Sequence, residues 1–163
     1  MEEERLKLSI GRFDHYYDSI NNKCTVMLTL NTFIVGGLIA SYPILLEKIE
    51  CGLCFHGLMT ALLGLGLAIM ITVTSASIPF LGGRSNSLLF WGDIAGITET
   101  AFNTQSQAQS ATDALNDLRS QAYHLACGLR SKFRLLRIVG QMMIIQFILF
   151  VPLFLVIICN IKN

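Results

Sequence analysis

The sequence is short of charge. Only 14% of its 163 residues are Asp, Glu, Lys or Arg, where soluble domains carry roughly 25%. The few charges leave three uncharged windows, residues 24–46, 51–83 and 138–161. Each exceeds the ~20 residues that cross hydrocarbon as a helix. A soluble core can bury one such window, but three leave too little polar surface for a water-soluble globule. Mean hydropathy of +0.57 points the same way. The expected fold is an all-α integral membrane protein with three transmembrane helices and a short helical cytoplasmic stalk.

Catalytic patterns are missing too. The chain has no GxSxG, no P-loop, no GxGxxG and no His pair at metal-ligand spacing, and His15 and His124 stand alone. This argues against an enzyme and against a metal site. The five cysteines include Cys51 and Cys54 in a CGLC run, with His56 two positions on. Haem attachment needs His directly after the second Cys, where Phe55 stands, and a zinc site wants four ligands. These cysteines read as small residues at a helix start, with a dispensable disulfide as the alternative. A net charge of +1 gives no sign of a nucleic-acid partner.

Lys and Arg set the orientation. Arg5, Lys7, Arg12 and Lys23 precede the first window; Arg84, Arg119, Arg130, Lys132, Arg134 and Arg137 separate the second from the third. The opposite side has only Lys48 and Lys162. With no cleavable signal peptide after the opening MEEE, the expected plan has a cytoplasmic N-terminal helix over 1–23. The first span covers 24–46, an external loop 47–53 and the second span 54–80. A cytoplasmic sensing segment over 81–137 leads to the third span, 138–160, and an external C-terminus.

Leu6, Ile10, Phe13, Tyr17, Ile20 and Cys24 form one apolar helical stripe that runs into the first span without a breaker. Leu115, Leu118, Ala122, Leu125, Leu129 and Leu136 form another that runs into the third. Between them, residues 98–112 read as a loop or weak helix, and Ser110 with Asp113 can cap the helix that carries the second stripe. Within the spans, Thr25, Thr29, Thr32 and Gly36 share a face beside Asn31, and Gly57 and Gly64 repeat the spacing in the second span. Small residues let helices approach closely in lipid, so these positions read as membrane packing, or as a threonine-lined path or oligomer seam.

Two clusters can meet a ligand. Arg130, Arg134 and Arg137 fall on neighbouring turns of one helical face, and Arg forks match phosphate oxygens; the same residues equally suit a lipid-headgroup flank. Tyr123 lies about two turns earlier and can stack on a base. Trp91, the single tryptophan, precedes Gly92 and Asp93. It fits an interfacial aromatic belt, or a pocket in which Asp93 receives a base amino group or a ribose hydroxyl.

The runs RFDHYY (12–17), NNK (21–23) and LNTFIVGGL (30–38), then SLLFWGDIA (87–95) and LRSQAYHLACGLRSKFRLLR (118–137), resemble the Pycsar transmembrane effectors in order across nearly the whole chain. The sequence departs from them in having Trp91 where phenylalanine is the commoner aromatic. The resemblance implies a bacterial antiphage, abortive-infection system. In it a partner pyrimidine cyclase makes cyclic CMP or cyclic UMP, and the effector senses that nucleotide and impairs the inner membrane. No other cofactor is implied. The phosphate is expected on Arg130, Arg134 or Arg137 together with Arg12 or Lys23, and the base on Trp91, Asp93 or Tyr123, at a subunit interface of a homo-oligomer in the lipid bilayer. The alternatives are a membrane adaptor that docks a soluble protein and a related effector gated by cyclic oligonucleotides.

Overall fold

The computed structural model describes residues 1–48, 52–78 and 87–160. Among them run five helices: α1 (Glu2–Lys48), α2 (Leu53–Ser77), α3 (Trp91–Ala95), α4 (Glu99–Ala108) and α5 (Ala111–Cys159). Helices α1, α2 and α5 are each long and apolar enough to cross a bilayer, and no strand occurs among the described residues. The protein is an all-α membrane protein. Residues 49–51 of the expected loop at 47–53, Cys51 of the CGLC run among them, and the expected boundary at residues 80 and 81 lie outside the described residues; Cys54 is exposed and unpaired.

Helix α1 has 47 residues and α5 has 49, each about 70 Å at 1.5 Å per residue. Glu2, Glu3 and Glu4 fill the first turn of α1, where negative charge meets the positive end of the helix dipole. At the start of α5, Ser110 Oγ accepts from Asp113 N at 3.1 Å, the cap that the sequence allows, and donates to the Asp113 carboxylate at 2.5 Å. Prolines 43 and 152 lie inside these helices without ending them. Residues 98–112 resolve into α4, whose Thr98 hydroxyl accepts from Ala101 N at 3.3 Å, with a short link into α5.

The chain divides into two compact units. The first comprises Met1–Ile20 and Pro79–Phe133. Here the opening turns of α1 run parallel to α5: Arg119 grips Glu2 through two bonds of 2.9 and 2.8 Å, and the Tyr17 hydroxyl donates to the Leu125 carbonyl at 3.1 Å. Ile20, Leu118, Ala122 and Leu129 from the two apolar stripes are buried.

The Glu2–Arg119 contact gives a pH expectation. The hydrogen bond from Arg119 comes first in holding the Glu2 carboxyl below its ordinary value, with the charges of Arg119 and Arg5 adding to it. A lowered carboxyl contributes fully above its unfolded value and loses that contribution as pH falls through the folded one. Protection of the amides in the first turns of α1, taken relative to the free-chain exchange rate at each pH, is therefore expected to fall below about pH 4. Arg119→Gln should abolish that acid step, leaving protection equally low at neutral pH. An acid step that survives Arg119→Gln rules the contact out as its source.

The second unit comprises Asn21–Ile78 and Arg134–Asn163 and contains the apolar windows. Leu38, Phe55, Met59, Leu62 and Leu153 form its buried cluster. Tyr42 and Phe55 stack at 6.1 Å, and the Tyr42 hydroxyl meets His56 Nδ1 at 2.9 Å. Deeper in the unit, Asn31 Nδ2 donates to the Gly66 carbonyl at 2.8 Å. Gln146 is buried beside them, with neither side-chain atom hydrogen-bonded. Val26, Ile39, Ile71, Ile145 and Phe154 are exposed, which in a bilayer is the lipid-facing condition.

Candidate functional site

The segment around the Trp-Gly-Asp run is built by side chains that grip the backbone. Ser87 is buried, and its N–H donates to Asp93 Oδ2 at 2.9 Å. The Leu88 N–H donates to Asp117 Oδ2 on α5 at 3.0 Å. The Ser87 hydroxyl accepts from Leu89 N and Phe90 N at 3.1 and 3.2 Å. Four consecutive backbone donors are thus satisfied without a helix or sheet, which fixes a loop that otherwise has no regular structure. Glycine at position 92 leaves room for the Phe90 ring, since a Cβ there would lie 2.6 Å from it and force the ring to move. With Phe90 folded over Gly92, Trp91 stands outward, 65% exposed, its ring 5.8 Å from that of Phe90.

Ser87, Leu88, Gly92, Asp93, Gly96, Ile97 and Gln105 line a cavity of about 170 Å³. Ligand pockets typically span ~300–1,000 Å³, so this one holds a ring and not a whole nucleotide. Its residues with polar side chains are Asp93, Gln105 and Ser87; the Ser87 hydroxyl already accepts from Leu89 N and Phe90 N, and the carboxylate is held in place through its Oδ2. Among the described residues, Asp93 Oδ1 has no donor.

Asp93 is the one residue of the expected ligand set that lines this cavity. Trp91 and Tyr123 are exposed aromatics of the same unit, at 65% and 68%. Arg12 and Arg130 also belong to that unit and are exposed, whereas Lys23, Arg134 and Arg137 are exposed residues of the other. None of these five cations has an ion pair among the described residues. Exposed unpaired cations beside a membrane suit either a phosphate ligand or lipid headgroups.

Two residues of this unit carry no clear mark in the sequence. Gln105 sits on α4, in a stretch without apolar period that gave no signal for a pocket. Lys132 lies inside the basic run but is only 6% exposed, its Nζ 5.9 Å from the centre of the Tyr17 ring. Its place at one helical turn from Leu129 and Leu136 was the available clue. Burial raises the Tyr17 phenol above its ordinary value, with the charge of Asp14 adding to it.

The packing residues are placed differently from the ligand set. Thr25, Thr29, Thr32, Gly36, Gly57 and Gly64 all lie exposed on the outside of the unit, and a Cβ added at any of the three glycines meets nothing within 4 Å. Thr29, Thr32 and Gly36 line an outward groove with Leu28, Phe33 and Gly37. Asn31 alone of this set is fully buried, and the close approach falls at Gly66.

No curated protein and no solved structure matches this chain. A family model described as the Pycsar effector protein domain matches residues 5–159, taking in both units and all three apolar helices. The chain therefore belongs to the Pycsar effector family, antiphage membrane effectors that respond to cyclic pyrimidine nucleotides.

Proposed function

We propose that this protein senses cyclic CMP or cyclic UMP, made by a partner cyclase during phage infection, and responds by breaching the inner membrane. The reading rests above all on the polar cavity at the Trp-Gly-Asp element, which lies in the unit outside the spans and offers hydrogen-bonding groups to a base. The base enters the cavity against Asp93, and Trp91 or Tyr123 supplies an aromatic face. The phosphate takes an arginine fork, from Arg12 or Arg130 in the same unit. Lys and Arg enrichment before the first span and between the second and third supports a cytoplasmic N-terminus and a cytoplasmic position for this unit.

Opening is a shift between two arrangements of a homo-oligomer. Moving such an equilibrium from 1:99 to 99:1 takes a ~10⁴-fold preference of the ligand for the open form. A site completed between subunits in only one arrangement supplies such a preference. Helices α1 and α5 continue from the sensing unit into the spans without interruption, so a change in one reaches the other with no intervening linker.

Purified full-length protein in dye-loaded vesicles tests this, with cyclic CMP, UMP, AMP and GMP added in turn. Release is expected with a pyrimidine nucleotide and not with the purines. Folded, inserted protein that releases dye with none of them overturns the proposal and favours an adaptor or a cyclic oligonucleotide ligand.

A further inference from the structure

We infer that the cavity at Asp93 selects cytosine over uracil, so that cyclic CMP is the stronger ligand; this rests on the proposed nucleotide-sensing function. The reason is the pairing of groups in the wall. Asp93 can only accept hydrogen bonds when ionised, and its Oδ2 already takes the Ser87 N–H at 2.9 Å. The carboxylate therefore stays fixed with Oδ1 left for a ligand. Gln105 lines the same cavity and carries two N–H donors and an oxygen on one amide. An acceptor and a donor set in one small cavity match the cytosine edge, which presents the N4 amino donor beside the N3 and O2 acceptors. A carboxylate accepting from cytosine N4 is a standard readout.

Uracil reverses the first of these. Its O4 replaces the amino group and brings an acceptor against a carboxylate. Its N3–H can still reach the carboxylate, but O2 and O4 flank that hydrogen on both sides. The wall cannot turn away to relieve this, because the Ser87 N–H holds Asp93 and the Leu88 N–H is held in turn by Asp117 at 3.0 Å.

Full-length protein in lipid nanodiscs, titrated calorimetrically with cyclic CMP and cyclic UMP, provides the test. Wild type is expected to bind cyclic CMP about tenfold more tightly or better, the discrimination of one well-made base contact. Asp93→Asn keeps an oxygen for the Ser87 N–H and turns an amide N–H₂ into the cavity, where it suits uracil O4. That variant should equalise or invert the preference. Wild type can also be titrated with N4,N4-dimethyl cyclic CMP, which lacks the amino donors and should bind at least tenfold more weakly than the parent. Equal binding of the two nucleotides by wild type, a preference for cyclic UMP, or an Asp93→Asn variant that weakens both alike overturns the base selection while leaving nucleotide sensing intact. Folded protein that binds neither nucleotide overturns the sensing function itself.

Discussion

Gly66→Val is expected to cost the span bundle on the order of 2–4 kcal/mol, far more than the same change at Gly64. A Cβ at Gly66 overlaps a Val35 methyl and comes within 3.3 Å of Gln146 Nε2 and 3.7 Å of Asn31 Oδ1. Val35 is β-branched and stiff at χ1 in a helix, so the backbones must part. Overpacking of this kind costs ~1–3 kcal/mol. The separation also stretches the 2.8 Å bond from Asn31 to the Gly66 carbonyl, and an interhelical bond in a membrane contributes ~0.6–2 kcal/mol. At Gly64 an added Cβ meets nothing within 4 Å, and a change there should stay within ~0.5 kcal/mol, as at ordinary surface sites. Unfolding of both variants in mixed micelles compares them directly. Equal losses at the two positions would rule out the contact with Val35 as the source of the effect, since helix propensity favours valine over glycine at both.

The second large effect has the opposite sign. Gln146→Leu should stabilise the bundle by about 1–3 kcal/mol, the penalty of a buried polar group without a partner. Gln146 is 0% exposed, and neither its Nε2 nor its Oε1 is hydrogen-bonded. Leucine has a similar reach and nothing to satisfy. Asn31 is also fully buried, with Oδ1 unpartnered, but its Nδ2 makes a good bond. Asn31→Leu should therefore gain less than Gln146→Leu, or lose stability. A Gln146→Leu variant that unfolds more easily than wild type would show that Gln146 pairs with Asn31 across the small space beside Gly66. A polar group kept at such a cost also bears on function. If the closed bundle holds the spans together despite it, Gln146→Leu should raise the cyclic nucleotide concentration needed for dye release.

Much of the fold was legible because hydrocarbon imposes simple demands. Three charge-free windows had to be spans, and the absence of breakers after Gly11 and around residues 129–137 left α1 and α5 free to continue through. The Ser110–Asp113 cap was readable for the same local reason. The site was harder. Asp93 could be suspected from its neighbours, but the sequence held no hint that Ser87 would bind it six residues away. Gln105 was hidden because a ten-residue helix such as α4 with a polar surface has no period to betray it. Glycine spacing misled in the spans: Gly36, Gly57 and Gly64 share a repeat, yet the glycine in tight contact is Gly66, chosen by the facing Val35 and Asn31. Spacing tells which residues share a face but not which face meets a neighbour.

The threonines of α1 have a further consequence. The hydroxyls of Thr25 and Thr32 donate to the carbonyls of Asn21 and Leu28, at 3.0 and 2.8 Å, and in α2 those of Thr74 and Ser75 donate to Met70 and Ile71 at 2.8 and 2.9 Å. Each of these four hydroxyl residues is exposed. A hydroxyl whose proton is already spent on its own helix loses little when water is replaced by acyl chains, and its oxygen still accepts from water when water returns. Such a surface is nearly indifferent to its solvent. It lies against lipid without strain and wets without having to rearrange, which is what a helix needs if it is to serve as wall to the bilayer at one moment and to an aqueous breach at the next.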